Sequence, residues 1–386
     1  MELRIKKSNA IPMLMFIFYI VIYLFLLVKY PMGTNETQFR YYALGIGIFI
    51  SILCLIKKYG LMFFKKTKYN ELLLVLLVSL VFFIYSYFLS KYNKTSLQFR
   101  TYVQIFLIMG PSVYAFGLLN LLDMKDIFNC LKLLLLFSVI LYFTETGHTI
   151  MDFLNFSNYS KILSSHFFTE SSLFSEIFLQ LFLCFNYFYN INKDENCKIN
   201  KIYVILAGLF TIMCGKRLAI LMVFITPIIN FYVKNTKTKK ISNVKLIVFL
   251  MLFCFGTIIY TNMLQHKIFT DFDIFKFSTG RDYILSLWEK YDYMSLGYGT
   301  SMAMIGRYLE LDLVQIYLEL NLICLVIFVF YFLRISNKSK YGFIIMNYCL
   351  LNMLTASSLP YSLGWIIIIL SIKIIEEKEK ISYEKI

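Results

Sequence analysis

Twelve apolar stretches, between 13 and 22 residues long, recur along this 386-residue chain and constrain its fold more than any other feature. A helix of about 20 apolar residues spans the roughly 30 Å hydrocarbon core of a bilayer and bonds its own backbone polar groups. The chain is 59% hydrophobic and only 16% charged, too little polar surface for a soluble enzyme of this size. We therefore expect an all-α, polytopic membrane helix bundle forming one domain over residues 1–386. The expected transmembrane helices, about 12 in number, cover residues 10–28, 41–56, 71–89, 102–122, 127–143, 171–191, 202–214, 218–233, 246–262, 312–333, 342–356 and 360–375.

The basic residues predict how these helices cross the membrane. Stretches seven and eight are separated only by Gly215-Lys216-Arg217, and a single helix through both would reach about 48 Å, so a hairpin is favoured. With the N-terminus inside, 25 of the 38 Lys and Arg residues lie on the inner side, as cytoplasmic segments require. Ten acidic residues lie on the same side, so the 25 cations leave a net charge of +15 there, which equals the formal charge of the whole chain. This charge therefore indicates the orientation of the chain in the membrane. Both termini are then cytoplasmic, and no nucleic-acid partner is expected.

Two predicted outer loops are longer than a connection needs to be, at residues 144–170 and at residues 263–311, before the tenth helix. In the larger loop, Thr279 and Asp282 resemble a capping box that starts a helix. The following apolar stripe (Ile284, Leu287, Trp288 and Tyr291) is typical of a helix lying along a membrane surface.

Four other features complete the outline of the chain. The first apolar run is too long for a signal peptide and predicts a permanent span. Neither outer loop holds a cysteine, so disulfides and a cysteine metal site are not expected. No internal repeat stands out. The charged run 376–380 predicts a solvated cytoplasmic end.

Polar residues inside a membrane bundle are costly and mark functional positions by default. Ser172, Glu176 and Gln180 are spaced four apart and form one stripe on the sixth helix. Such a stripe either lines a polar cavity or bonds neighbouring helices together.

The hairpin tip carries two adjacent cations, Lys216 and Arg217, on the predicted outer side, against the charge bias. Arg217 starts the eighth helix, where backbone N–H groups and the helix dipole favour an anion such as a phosphate or diphosphate. The alternative is that both side chains reach lipid headgroups.

The large loop holds Arg281 in the first turn of its helix, and Arg307, Glu310 and Asp312 just before the tenth span. Asp312, Gln315 and Glu319 then share one helix face. No histidine is near these carboxylates in sequence, so no metal site is expected. The three histidines (His148, His166 and His266) are interpreted as structural or surface residues.

These features together resemble the O-antigen and capsular polysaccharide polymerases and, more distantly, the O-antigen ligases. The resemblance covers about residues 165–335. It rests on the order of four segments: Phe168-Thr169-Glu170-Ser171-Ser172, Cys214-Gly215-Lys216-Arg217-Leu218-Ala219, the loop with Ser278-Thr279-Gly280-Arg281 and Gly297-Tyr298-Gly299, and Glu310 to Leu320. The chain departs from the family in three places: Lys216 stands where Ser is common, Asn321 where Gly is common, and Glu310 where ligases carry His.

The resemblance implies a membrane glycosyltransferase at the outer face of the bacterial inner membrane. It would transfer a growing glycan from polyprenyl diphosphate to the next lipid-linked repeat unit. Arg217 and Arg281, supported by Arg307 or Lys216, would bind the diphosphate, because cations must stand where negative charge develops.

The base that accepts the proton of the acceptor hydroxyl would be Glu310 or Asp312. Glu170 would orient an arginine or the acceptor. No cofactor is implied; a chain-length regulator and a flippase are the implied protein partners.

Two other functions stay open. An O-antigen ligase would transfer the finished glycan to lipid A-core. A polysaccharide flippase or transporter is the alternative of another class, although such proteins usually have internal repeats and short loops.

Overall fold

The computed structural model describes residues 9–29, 39–146, 172–191, 201–236, 240–268, 281–290, 295–306 and 309–383. Within these ranges the protein is all-helical and contains no strand. The sixteen α-helices there are α1 (Ala10–Lys29), α2 (Phe39–Tyr59), α3 (Phe63–Lys66), α4 (Val75–Tyr92), α5 (Phe99–Leu121), α6 (Met124–Thr146), α7 (Ser172–Asn186), α8 (Lys201–Met213), α9 (Arg217–Asn235), α10 (Asn243–Leu264), α11 (Arg281–Lys290), α12 (Thr300–Met304), α13 (Asp312–Leu320), α14 (Leu322–Ile335), α15 (Lys340–Thr355) and α16 (Ser362–Tyr383). A 3₁₀ turn, Asn70–Leu74, leads into α4, and a π-helical turn, Tyr187–Ile191, ends α7.

Six helices in the described ranges are long and apolar enough to cross a membrane, and they identify the chain as a membrane protein. They cover Phe39–Tyr59, Asn70–Tyr92, Thr101–Leu121, Met124–Thr144, Arg217–Asn235 and Asn243–Leu264. Three shorter apolar helices lie at Ala10–Leu26, Lys201–Met213 and Leu322–Ile335. Each of the twelve predicted stretches contains a helix in the described ranges, but twelve crossings and the large outer loop stay predictions.

Several of these helices expose an apolar face. In α9, Phe224, Ile228 and Phe231 follow one another on one side and are 67%, 69% and 71% exposed. In α10, Val248 and Phe255 lie two helical turns apart on the same side and are also more than half exposed. A soluble protein rarely exposes such continuous apolar surface, whereas lipid tails cover it without cost.

The helices form two compact units, and each is described by itself. Unit 1 comprises Met1–Asn70, Gly110–Lys239 and Leu363–Ile386. In it α1 packs on α2 and α6, and α7 packs on α8, α6 and α9. Tyr142 of α6 is a centre of this packing: its hydroxyl donates to the Met213 carbonyl at 3.1 Å, and its ring meets Phe178 and Phe210 edge-on.

Unit 2 comprises Glu71–Met109 and Lys240–Ser362. Its central helices α13 and α14 pack on α4, α10 and α15. Polar side chains cap the ends of these helices: Ser339 accepts a hydrogen bond from the Gly342 N–H at 3.1 Å at the start of α15. Inside α10, the hydroxyls of Thr257 and Thr261 donate to carbonyls one turn earlier at 2.7 Å, which satisfies them in apolar surroundings.

The predicted tenth helix, 312–333, is interrupted at Asn321. Asn321 has φ 96° and ψ 177°, so it ends α13 and starts α14. Its side-chain oxygen accepts hydrogen bonds from the Ile323 and Cys324 N–H groups at 2.9 and 3.2 Å. An apolar pattern continues unchanged across this break, and for that reason periodicity predicted one helix where two exist.

The predicted surface helix is present as α11, but its apolar side faces protein. Ile284, Leu285 and Trp288 are buried, whereas Tyr283 is exposed. Ile284 and Trp288 of the predicted stripe therefore pack against protein, and the position of α11 relative to a membrane surface stays a prediction.

The predicted solvated tail is wrong, because α16 continues through residues 376–380. Lys373 and Glu376 form a buried ion pair at 2.8 Å, and Tyr187 donates to the buried carboxylate of Glu379 at 3.2 Å. Glu376 and Glu379 of this segment therefore have partners inside unit 1.

Candidate active site

Helix α11 is held in unit 2 by an apolar cluster. Ile284 and Leu285 of α11 pack with Leu309, Leu311 and Val314, together with the last residue of α10, Leu264. The chain segment 309–314 is thereby fixed against the helix that begins at Arg281.

Two polar contacts lie between α11 and the turn after α10. The His266 imidazole lies 3.8 Å from the Asp282 carboxylate, and Lys267 forms an ion pair with Glu289 at 3.6 Å. Because His266, Lys267 and Glu289 are exposed, these contacts contribute little to stability.

Glu310 is exposed between two fully buried leucines, Leu309 and Leu311. Its φ of 57° lies in the left-handed region, which is unfavourable for a residue with a side chain. The two leucines anchor the backbone on either side, and the strained residue between them presents its carboxylate outward. Strain of this kind persists only where the surroundings impose it, and it is common at functional sites.

Arg281 is the first residue of α11 and is half-buried. Its Nε is enclosed and has no hydrogen-bond partner among the residues that the structure describes. The first turn of the helix also contributes backbone N–H groups and the positive end of the helix dipole. These features favour an anion at this position.

Asp312 is buried and bonded, whereas Glu310 is exposed. Its carboxylate accepts hydrogen bonds from the Ser357 hydroxyl at 3.2 Å, from the Leu359 N–H at 2.8 Å and from the Ser358 N–H. It therefore fixes the turn between α15 and α16. Since a general base must reach the proton that it removes, the geometry favours Glu310 over Asp312 for that role.

Glu319 organises the loop that contains Gly297-Tyr298-Gly299, and this role was not predicted. Its carboxylate accepts hydrogen bonds from the Gly299 N–H at 2.6 Å, the Ser301 N–H at 2.8 Å and the Ser301 hydroxyl at 2.6 Å. Gln315, one turn earlier, donates to both of its oxygens at 3.1 and 3.2 Å. The predicted shared face of Gln315 and Glu319 is confirmed, but only the tertiary structure shows which loop they bind.

The glycine loop also packs tightly on α4. Gly297 has φ 107°, and a side-chain carbon placed there would lie 2.6 Å from the Cβ of Ser86. The Ser86 hydroxyl accepts a hydrogen bond from the Tyr298 N–H at 3.0 Å. A glycine is required at position 297 because both the backbone conformation and the close approach exclude a side chain.

The hairpin cations lie in unit 1. Gly215 has φ 73°, which closes the turn between α8 and α9, and α9 begins at Arg217 as predicted. Arg217 is exposed and Lys216 is half-buried. Arg281, Glu310 and Asp312 belong to unit 2, so the described geometry brings these three residues into one unit and leaves the hairpin cations in the other.

Two residues of the polar stripe of α7, Glu176 and Gln180, are buried in unit 1. Glu176 and Gln180 are 3% and 0% exposed. Gly364 of α16 lies against Glu176, since a Cβ at that glycine would be 3.6 Å from the carboxyl carbon. This close helix approach fits the interpretation that the stripe joins helices.

Several predicted residues lie outside the described ranges, among them Glu170, Arg307, Thr279, His148 and His166. Within the described ranges, no three His, Cys, Asp or Glu side chains are grouped so as to hold a metal ion.

Comparison with family models, with curated proteins and with solved structures finds no match to this chain.

Proposed function

We propose that this membrane protein is a polysaccharide polymerase. It transfers a growing glycan from polyprenyl diphosphate to a hydroxyl of the next lipid-linked repeat unit, at the outer face of the bacterial inner membrane. The main support is the apolar cluster shared by Leu285, Leu309 and Leu311, which ties the segment that carries exposed Glu310 to the helix that begins at Arg281. A base and an anion-binding cation are thus carried by segments fixed to each other.

In the proposed reaction, the hydroxyl oxygen of the acceptor sugar attacks the anomeric carbon of the donor glycan. The bond between that carbon and the diphosphate oxygen breaks, and its electron pair leaves with polyprenyl diphosphate. Glu310 accepts the hydroxyl proton, and Arg281 stabilises the charge that develops on the diphosphate. No further reactant is required for the atoms and charges of this reaction to balance.

The other proposed residues support this pair. Arg307 precedes Glu310 by three residues and supplies a second cation to the diphosphate. Arg217, Lys216 and Glu170 keep the roles that the family resemblance implies, and each needs a variant of its own as a test. A chain-length regulator and a flippase are the proposed protein partners.

The proposal is tested by deleting the gene, restoring it with variants, and separating the surface glycan on a gel. We expect Glu310→Gln and Arg281→Ala to be produced and inserted normally but to yield single-repeat products only. Glu289→Gln and Lys290→Gln change an acid and a cation elsewhere on α11 and should retain the full ladder of chain lengths. A normal ladder from both Glu310→Gln and Arg281→Ala would contradict the proposal.

The deletion strain also separates the other candidate functions. A ligase would leave the lipid A-core without any attached glycan, and a flippase would leave lipid-linked repeat units in the cytoplasm. Either result would replace the polymerase proposal.

A further inference from the structure

The connection between α2 and α4 carries an unusual combination of basic and apolar residues. We call residues 57–68 the basic–apolar loop. It joins two helices that are long and apolar enough to cross a membrane, Phe39–Tyr59 and Asn70–Tyr92. Because both neighbouring segments enter the bilayer, the loop lies at a membrane surface.

Both ends of the basic–apolar loop are fixed to unit 1. At its start, the Tyr59 hydroxyl donates to the Asn120 carbonyl at 3.2 Å. At its end, Lys68 pairs with Glu377 at 3.0 Å, and the neighbouring Tyr69 hydroxyl donates to the same carboxylate. Phe63, in the middle, is buried at 6% exposure. The loop therefore has a defined shape that determines which side chains it presents.

The side chains that the loop presents are of two kinds. Large apolar side chains project from it, with 83% exposure for Leu61, 68% for Met62 and 50% for Phe64. Lys57, Lys65 and Lys66 are exposed beside them and have no hydrogen-bond or ion-pair partner among the residues that the structure describes. Two other lysines of the loop already have partners, namely Lys58 and Lys68.

We propose that the basic–apolar loop is a binding surface for anionic phospholipids. Leu61, Met62 and Phe64 enter the boundary between headgroups and acyl chains, as apolar residues of interfacial segments do. Lys57, Lys65 and Lys66 then contact the lipid phosphates. Each cation near an anionic surface is expected to strengthen binding about fivefold. A lipid surface fits both kinds of side chain, whereas a soluble anion would use the lysines alone and leave three apolar side chains in water.

The test uses the full-length protein in vesicles of equal phosphatidylglycerol and phosphatidylcholine, with Met62 replaced by the photo-crosslinker benzoylphenylalanine. We expect lipid adducts, detected by mass spectrometry, that contain more phosphatidylglycerol than phosphatidylcholine. Lys57→Gln, Lys65→Gln and Lys66→Gln combined should return the adducts to the vesicle composition, and each change alone should lower the enrichment up to about fivefold. The matched control combines Lys234→Gln, Lys240→Gln and Lys245→Gln, three exposed lysines outside the loop, and should preserve the enrichment.

Four results would overturn the proposal. Two are crosslinks to protein, either to a second copy of the chain or to a different segment of the same chain. The third is a set of lipid adducts without phosphatidylglycerol enrichment. The fourth is an enrichment that the control variant abolishes as completely as the triple lysine variant does.

Discussion

Glu310 combines an exposed side chain with a backbone conformation that glycine prefers. The buried side chains of Leu309 and Leu311 anchor the backbone on either side of it, and Glu310 makes no hydrogen bond or ion pair with the residues that the structure describes. A strained residue without a stabilising contact in the described part of the chain is typical of a functional position. Substitution of Glu310 therefore tests whether the residue contributes to activity at the cost of stability.

We predict that Glu310→Gly raises the stability of the protein while abolishing its activity. Glycine adopts a φ of 57° without strain, so the free energy of unfolding should rise by about 1 kcal/mol. Thermal unfolding in detergent measures the first effect and the glycan ladder measures the second. Glu310→Ala keeps the strain and should be inactive without the gain. A Glu310→Gly variant with a full ladder would show that the carboxylate is dispensable.

Glu319 has the opposite character, since it is buried and fully engaged. We predict that Glu319→Ala lowers the free energy of unfolding by about 3 kcal/mol, because it leaves the Gly299 and Ser301 N–H groups without an acceptor. Glu319→Gln retains one oxygen and should cost less. The apparent melting temperatures of the two variants measure this order. Equal stability of wild type and Glu319→Ala would contradict the anchoring role.

At the scale of elements, Asn321 determines where α13 ends and α14 begins. Its φ of 96° and ψ of 177° lie in a region populated almost only by glycine, while its side chain caps α14. The proteins that this sequence resembles commonly have glycine at the position of Asn321, and the backbone here has a conformation that suits glycine. The capping side chain compensates for part of the strain.

We predict that Asn321→Gly has a stability within about 1 kcal/mol of the wild type, because relief of strain offsets the loss of the capping side chain and of its hydrogen bond to Tyr85. Asn321→Ala loses the cap, loses the hydrogen bond to Tyr85 and keeps the strain, so it should cost about 2 kcal/mol. Thermal unfolding of both variants in the same detergent decides the order. If Asn321→Gly were the less stable variant, the backbone would not be strained.

Helix positions could be predicted because an apolar stretch forms a helix wherever it lies in a membrane. The break at Asn321 could not, since leucine and isoleucine continue on both sides of it. The same limit applies to Asp312 and Glu319: their shared face follows from helix geometry, but their partners come from segments distant in sequence, Ser357–Leu359 and Gly299–Ser301.

At the scale of the whole molecule, the charge pattern makes a prediction about topology. Residues 240 and 266 flank α10, which is long and apolar enough to cross the bilayer. If α8 and α9 form a hairpin across the membrane, residue 240 is cytoplasmic and residue 266 is outside. A fluorescent protein fused after Lys240 should fluoresce, and alkaline phosphatase fused after His266 should be active.

The reverse pattern would mean that the predicted orientation of this segment is wrong. The same side for both fusions would mean that α10 does not cross. Exchanging the two reporters between the two positions is the control, because each position should then lose its signal.

The end of the chain shows why charge alone was a poor guide to burial. A run of alternating Glu and Lys predicts a solvated tail, yet Glu376 and Glu379 are buried in unit 1. Lys373 and Tyr187 provide the partners, and one of these lies almost two hundred residues away. Burial of a charge depends on such partners, which a local pattern does not contain.

The sequence by itself determined that the chain is helical and belongs to a membrane. The length of each apolar segment and the distribution of charge around it are local properties, and they decide directly how the segment interacts with a bilayer. The sequence also placed the helix at Arg281 and the turn at Gly215. Only the tertiary structure decided which carboxylate is exposed and which are bonded, because Glu310, Asp312 and Glu319 differ in what the rest of the chain brings to them. Hydrogen-bond partners and backbone strain depend on packing between distant segments, and packing separates the candidate base from its structural neighbours.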